Sequence, residues 1–321
     1  MILIFSFAGD LSTNMVIDWL NHHKYPFFRL NSSDFYNNSF HLDLLNRVIS
    51  IDGNLIPLDK IRAVWFRKFG LKKDFALFQK KDVPNSILFS LNKEHEILLD
   101  TIFYLLKDKK WLTHSNLISL NKPVILLEAM EVGLNVSETH ILNSTQDLEK
   151  LIGSGNYITK TLYEPSFPTV KNRKFSMYTK ILESPLVNEA QLPPVFSASL
   201  VQKLIKKEYE IRVFCLNKQI YSAAIFSQND TQTKVDFRVY NWFKPNRYVP
   251  YNLPSELKKK LIKLMHKIGL NCCSVDLIKS TDGKYYFLEI NPVGQFGMID
   301  FPCNFNLHRK VAEELIKMDT I

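Results

Sequence analysis

Three oxygen-bearing side chains near the carboxyl end have the types and spacing to hold a hard divalent cation. Glu289 and Asn291 stand two apart in the β-type run Tyr285-Tyr286-Phe287-Leu288-Glu289-Ile290-Asn291, so on a strand they point the same way. Asp276 lies in the preceding run, Ser274-Val275-Asp276-Leu277-Ile278, and the turn Thr281-Asp282-Gly283-Lys284 can fold the two runs into a hairpin that sets Asp276 against them. Two carboxylates and an amide oxygen suit Mg²⁺, which takes a few carboxylates and completes its shell with water and phosphate oxygens. The chemistry indicated is nucleotide-dependent phosphoryl transfer. A plain solvated hairpin fits less well, because Glu289 and Asn291 interrupt an otherwise apolar strand that ends in the fixed turn Asn291-Pro292-Val293-Gly294. Taken as exposed ligands, Asp276 and Glu289 would be removable without loss of the fold.

Other candidates lie upstream. Lys122 opens a helix and Lys160 ends a strand; a lysine there can set a point charge on a phosphate or simply be solvated. In Val201-Gln202-Lys203-Leu204-Ile205 a β-run gives way to a connector, either a linker or a backbone edge for adenine. Glu210 and Arg212 share a face of the next run, as a structural ion pair or as part of a site. Asp236-Phe237-Arg238 repeats the acid-x-Arg pattern after the polar loop 228–232, and arginine is suited to bidentate binding of carboxylate or phosphate.

The elements that must position these residues read as α/β followed by α+β. Strand-like 2–7, a helix through Met15–Leu20, strand-like 27–30 and 63–67, and a long helix over 85–106 predict a parallel sheet in the first segment. After a boundary at 117–122 come a helix (123–132), a strand (139–142), a helix (145–152) and a strand (157–160). A Pro-, Ser-, Lys- and Asn-rich stretch over 162–194, with one strand at 175–182, reads as hairpins or a lid. A dense antiparallel region follows, with strands at 196–202, 209–216, 219–227, 273–278 and 285–290, a helix at 255–268 and a closing helix at 307–318. The domains are therefore expected at 1–117, 118–201 and 202–321.

With 321 residues, 46% hydrophobic and 23% charged, the chain has the composition of a soluble multidomain protein. It shows no signal peptide and no apolar run of membrane length, so a cytoplasmic protein without membrane contact is expected. The four cysteines have no CxxC spacing and the histidines no HExxH, which argues against disulfides and zinc. A net charge of +9 points to an anionic partner; no zinc-finger or RNP-type motif supports nucleic acid.

The order Lys122, Lys160, a connector after Gln202, Glu210-Ile211-Arg212-Val213, Asp276, Glu289-Ile290-Asn291 resembles the ATP-grasp superfamily of carboxylate ligases, from Leu117 to the carboxyl end. Trp65-Phe66-Arg67, Asp236-Phe237-Arg238 and Asn291-Pro292-Val293-Gly294-Gln295-Phe296-Gly297-Met298 look like the peptide-modifying branch, the graspetide synthetases, similar to microviridin ligases and grasp-with-spasm maturases. The resemblance implies a pre-ATP-grasp α/β domain, a small central α+β domain and a C-terminal domain built on an antiparallel sheet. It implies ATP phosphates on Lys122 and Lys160, adenine at Gln202, Lys203, Leu204 and Ile205, Glu210 beside the nucleotide, and Mg²⁺ on Asp276, Glu289 and Asn291. A precursor peptide with a leader and an acidic, Thr-rich core would be phosphorylated on Asp or Glu and closed onto Ser, Thr or Lys. Arg212 and Arg238 would bind the acyl-phosphate or acceptor carboxylate, and Asp236 would orient or deprotonate the hydroxyl. Dimers would fit the family. An amino-acid ligase of the same superfamily, and a non-catalytic nucleotide or peptide binder, are the alternatives. The stretch 170–176 lacks the glycines usual in the phosphate-covering loop; it either covers phosphates with Lys and Ser or receives the peptide.

Overall fold

Ile2-Leu3-Ile4-Phe5-Ser6 is buried throughout as strand β1, the pattern of a strand covered on both faces. The Asp10 carboxylate accepts the N–H of Thr13 at 3.0 Å and caps helix α1 (Leu11–His22). Strand β2 (Phe27–Asn31) returns parallel to β1. After a short α2 (Asp34–Asn37), β3 (Phe40–Asp43), β4 (Val48–Ile51) and β5 (Asn54–Pro57) form a small antiparallel sheet. Then β6 (Ala63–Phe66), α3 (Asn85–Leu105) and β7 (Lys110–Leu112) complete a parallel sheet in the order β2-β1-β6-β7. Its core gathers Leu3, Phe5, Val64, Phe66, Ile102 and Trp111. The computed structural model describes residues 1–69, 83–163, 169–170, 173–174, 177–182, 192–228, 230, 233, 235–238 and 241–320.

The chain divides into two units: residues 1–118 with 270–272 and 295–321, and residues 119–269 with 273–294. The second unit opens with α4 (Lys122–Glu131), capped by the Asn121 side chain. Strands β8 (Asn135–Val136) and β9 (Thr139–Ser144), helix α5 (Thr145–Ser154) and β10 (Tyr157–Lys160) follow. β11 (Thr169–Val170) and β12 (Arg173–Lys174) pair as a two-stranded ladder; the rest of the 170–176 stretch lies outside the described residues. Of the strand expected at 175–182, β13 (Lys180–Leu182) forms, while residues 175–176 lie outside the described residues.

Strand β14 (Val195–Lys203) departs from expectation. It does not join the large antiparallel region but lies between β10 and β9 in a sheet ordered β13-β10-β14-β9. Its half-exposed face let it read equally well in either sheet, and the connector after it turns the chain away. The large sheet has the order β17-β16-β15-β18-β19-β8, built from β15 (Lys207–Leu216), β16 (Gln219–Phe226), β17 (Arg247–Pro250), β18 (Cys272–Ser280) and β19 (Tyr285–Asn291). Helix α6 (Ser255–Ile268) buries Leu257, Leu261, Leu264 and Met265 and stops at Gly269, whose φ of 79° supplies the left-handed cap.

The carboxyl end returns to the first unit. Asp300, in α7 (Gly297–Cys303), accepts the N–H groups of Leu307 and His308 and starts α8 (Leu307–Thr320). Arg67 lies over the Phe296 ring at 5.1 Å and donates from Nε to Asp10 at 3.1 Å.

Candidate active site

Strands β18 and β19 make the hairpin called for by the sequence, with Asp276 directly opposite Glu289 and Ser274 opposite Asn291. Directly opposed residues share a face of an antiparallel pair. The register shifts between Asp276↔Glu289 and Leu277↔Phe287, leaving Leu288 as the extra residue of a β-bulge. Simple alternation would send Leu288 and Glu289 to opposite faces; here both line one cavity. Gly294 closes the following turn with its N–H on the Asn291 carbonyl at 3.1 Å, and the Asn291 Oδ1 accepts the Val293 N–H at 3.0 Å. A Cβ at Gly294 would collide with the Ser274 Oγ and Cβ, so only glycine fits there.

Asp276 is buried at 8% exposure, contrary to the expectation of an exposed ligand. Arg212 Nη1 donates to both its carboxylate oxygens, at 2.8 and 2.7 Å. Burial pushes the Asp276 carboxyl above its usual range, and the Glu289 charge adds to that push against the pull of Arg212. Glu289 is the reverse case. Burial raises it, but Arg238, Lys122 and Lys160 together outweigh burial and hold it below the usual value. Lys122 Nζ and Arg238 Nη1 each stand 3.8 Å from a Glu289 oxygen. Lys160 sits among the same groups: burial lowers its pKa, Glu289 opposes, and Arg238 and Lys122 add to the lowering.

Arg238 is clamped to Asp236. Its Nε and Nη2 donate to the two carboxylate oxygens at 2.8 and 2.6 Å, and its backbone N–H adds a third bond at 3.0 Å. Although burial raises the Asp236 carboxyl, these bonds hold it below the ordinary range. An acid so held is a weak proton acceptor, and its evident work is to fix the guanidinium. Taken together, Lys122, Lys160, Arg212 and Arg238 face Asp236, Asp276 and Glu289. That leaves an excess of positive charge, the sign a polyphosphate requires.

Glu210 shares a face of β15 with Arg212 but has its own partners. Lys207 Nζ donates to Oε1 at 2.7 Å and Ser227 Oγ to Oε2 at 2.6 Å, and burial raises the carboxyl despite Lys207. Sequence reasoning missed Lys207 and Ser227. The position of Lys207 three residues before the strand acid Glu210 was the available signal.

The connector sorts its own groups. Gln202 is buried, and its Nε2 donates to Thr139 Oγ1 at 2.8 Å, so its side chain is structural. The N–H groups of Lys203 and Leu204 donate to the carbonyls of Glu138 and Asn156 at 2.9 and 2.8 Å, and the Lys203 carbonyl accepts from Ser137 Oγ. The backbone of Ile205 forms no hydrogen bond among the described residues. All four residues line a cavity of about 690 Å³, within the range of small-ligand sites. Its lining combines apolar Ile158, Ile181, Leu204 and Leu288 with charged Lys160, Glu210, Asp236, Arg238, Asp276 and Glu289. Lys122, Arg212 and Asn291 are not part of that lining; the first two reach it through Glu289 and Asp276.

Among the described residues no three His, Cys, Asp or Glu side chains form a ready metal cage. The donors present, two opposed carboxylates and the Asn291 amide, are all oxygens and fit a hard ion that keeps water or phosphate in its shell.

A model of the RimK-like ATP-grasp domain matches residues 121–315. The chain belongs to this family. Its fold is that of ATP-grasp ligases. The macrocyclase MdnC of Microcystis aeruginosa MRC, solved with precursor peptide MdnA, is 24% identical with a TM-score of 0.82 and 99% of each chain covered. A Chryseobacterium gregarium RiPP-associated ATP-grasp ligase, in complex with ADP and a leader and core peptide, is 18% identical with a TM-score of 0.85, covering 98% of this chain and 96% of that one. The ATP-grasp ligase PsnB, complexed with minimal precursor, Mg and ADP, is 18% identical with a TM-score of 0.78, covering 99% and 97%. Comparison with curated proteins gives no match. The fold of this ATP-grasp chain is thus shared with proteins at low identity. No helix among the described residues is long and apolar enough to cross a membrane.

Proposed function

We propose that this protein is an ATP-dependent macrocyclase of a ribosomally made precursor peptide. The observation that carries the reading is the convergence of Arg212–Asp276, Arg238–Asp236 and Glu289 with Lys160 around one cavity. Nucleotide would lie with its adenine along the Ile205 backbone and its ribose near Glu210. Its phosphates would meet Lys160 and Lys122. Mg²⁺, held by Asp276, Glu289 and Asn291, would supply neutralisation of phosphate charge.

The chain's own residues then do the positioning on which phosphoryl transfer depends. Arg238, fixed by Asp236, presents its outer nitrogen to an Asp or Glu side chain of the peptide. One carboxylate oxygen attacks the γ-phosphorus, the bond to the bridging oxygen breaks, and ADP leaves. A Ser or Thr oxygen, or a Lys nitrogen, of the same peptide attacks the acyl carbon of the resulting mixed anhydride. Phosphate departs with the electron pair, and the nucleophile's proton passes to solvent or phosphate. Asp236 acts as the orienting group, because its oxygens are already committed to Arg238.

The test is incubation with Mg-ATP and any short Thr/Asp/Glu-rich peptide found encoded beside this gene, followed by mass spectrometry. Loss of one water per ring, with matching ADP, is expected. Addition of an amino acid, or an unchanged peptide mass while ADP forms, would overturn the proposal.

A further inference from the structure

The two most exposed aromatic side chains among the described residues are neighbours: Trp242 at 84% and Phe243 at 102%. Exposing both forgoes the free energy of burying them, and the segment carrying them is held firmly. Asn241 Oδ1 accepts the N–H groups of Phe243 and Lys244 at 3.0 and 3.2 Å, and its amide donates to Asp230 at 2.6 Å. Thr233, fully buried, hydrogen-bonds to the Ser227 carbonyl at 3.0 Å and to Asn246 at 3.2 Å. The aromatic pair is therefore presented on a braced turn, which lowers the ordering cost of binding.

Two further observations select the occupant. The turn is covalently continuous with the cavity: Arg238 lines it, and four residues of chain span at most about 14 Å. The charges around the turn are basic on balance, Lys244 and Arg247 against Asp230, whose carboxylate already accepts from the Asn241 amide, with the Arg247 guanidinium over the Phe226 ring at 5.4 Å. We infer that Trp242, Phe243 and Lys244 dock the precursor peptide, gripping an apolar side chain flanked by acidic ones so that the next carboxylate reaches Arg238. This rests on the macrocyclase reading and names the peptide chemistry that the site selects.

The test uses the full chain, a Trp242→Ala/Phe243→Ala double variant, and two fluorescein-labelled nonapeptides of glutamates, one with a central leucine and one with a central glycine. Anisotropy without nucleotide should show the wild type binding the leucine peptide at least about tenfold more tightly, and the variant binding both alike. With the encoded precursor, the variant's peptide KM should rise about tenfold or more while its ATP KM stays put. Equal discrimination by the two proteins would overturn the inference. So would unmoved peptide binding accompanied by loss of pelleting with phosphatidylserine–phosphatidylcholine vesicles, or by loss of a dimer in sedimentation velocity, which would assign the pair to a membrane or a second copy. Failure of ring closure in the wild type would sink the macrocyclase reading alone, because anisotropy reads docking without chemistry.

Discussion

Asp276 and Glu289 stand opposite one another as proposed ligands of one ion, yet their removal should have unequal consequences for stability. Asp276 neutralises Arg212, a guanidinium at 7% exposure, through two bonds of 2.7–2.8 Å. Taking away one member of a buried pair strands the other and costs about 3–5 kcal/mol. For a unit of this size that lowers the melting temperature by roughly 6–20 °C. Glu289 is 26% exposed and its ion pairs are long, at 3.8 Å, so Glu289→Ala should cost about 0–1 kcal/mol. Both variants should lose turnover. The assay is thermal and urea unfolding of the two proteins side by side. An Arg212→Met/Asp276→Leu double variant separates charge stranding from cavity formation, and it should regain most of the stability while staying inactive. Should Asp276→Ala melt with the wild type, the buried pair contributes little, and the reasoning from burial fails.

Lys160→Ala should raise the Kd for ATP roughly 10- to 150-fold, as loss of about 1.5–3 kcal/mol of charge-assisted hydrogen bonding implies; nucleotide titration calorimetry checks it. Gly294→Ala should cost about 1–3 kcal/mol through overpacking and weaken Mg²⁺-dependent activity. Adding Ser274→Ala should restore little of this, because the position-274 Cβ, which alanine keeps, and the backbone nitrogen still collide with the new Cβ. Asp236 has a folded pKa below its unfolded value. Its contribution is therefore complete above about pH 4 and disappears as pH falls through the folded value. Asp236→Asn should flatten the acid limb of the stability–pH curve, read by unfolding between pH 2 and 5.

Much of the fold could be read from the chain. The continuous apolar run Ile2–Ser6 and the apolar Ala63–Phe66 announced a buried parallel sheet, and the 3.6-residue period over Ser255–Ile268 announced its helix. The β3–β5 sheet escaped notice because each of its strands is only four residues long, too short for a period-2 pattern to stand out. The residues gathered around the cavity were legible as types, since carboxylates and arginines are rarely spent inside strands. Their pairing was not. Arg212 reaches Asp276 across 64 residues of sequence, whereas alternation had tied it only to its strand neighbour Glu210. The Ile205 backbone could not be told from those of Lys203 and Leu204, because hydrogen bonding to Glu138 and Asn156 depends on tertiary packing. Residues 295–321 were grouped with the preceding sheet by proximity in sequence, yet the face of α8 carrying Leu307, Val311 and Leu315 packs in the first unit.

The single surplus residue in β19 lets one strand serve two masters. Phe287 and Ile290 stay in the hydrophobic interior while Leu288 and Glu289 look out together, so a greasy contact and a negative charge sit side by side without surrendering either anchor. Ordinary pleating allows one outward position in two; here the parity of the core and the parity of the chemistry are uncoupled. Sequence drift at Leu288 can therefore reshape the floor of the cavity while the acid beside it keeps its aim.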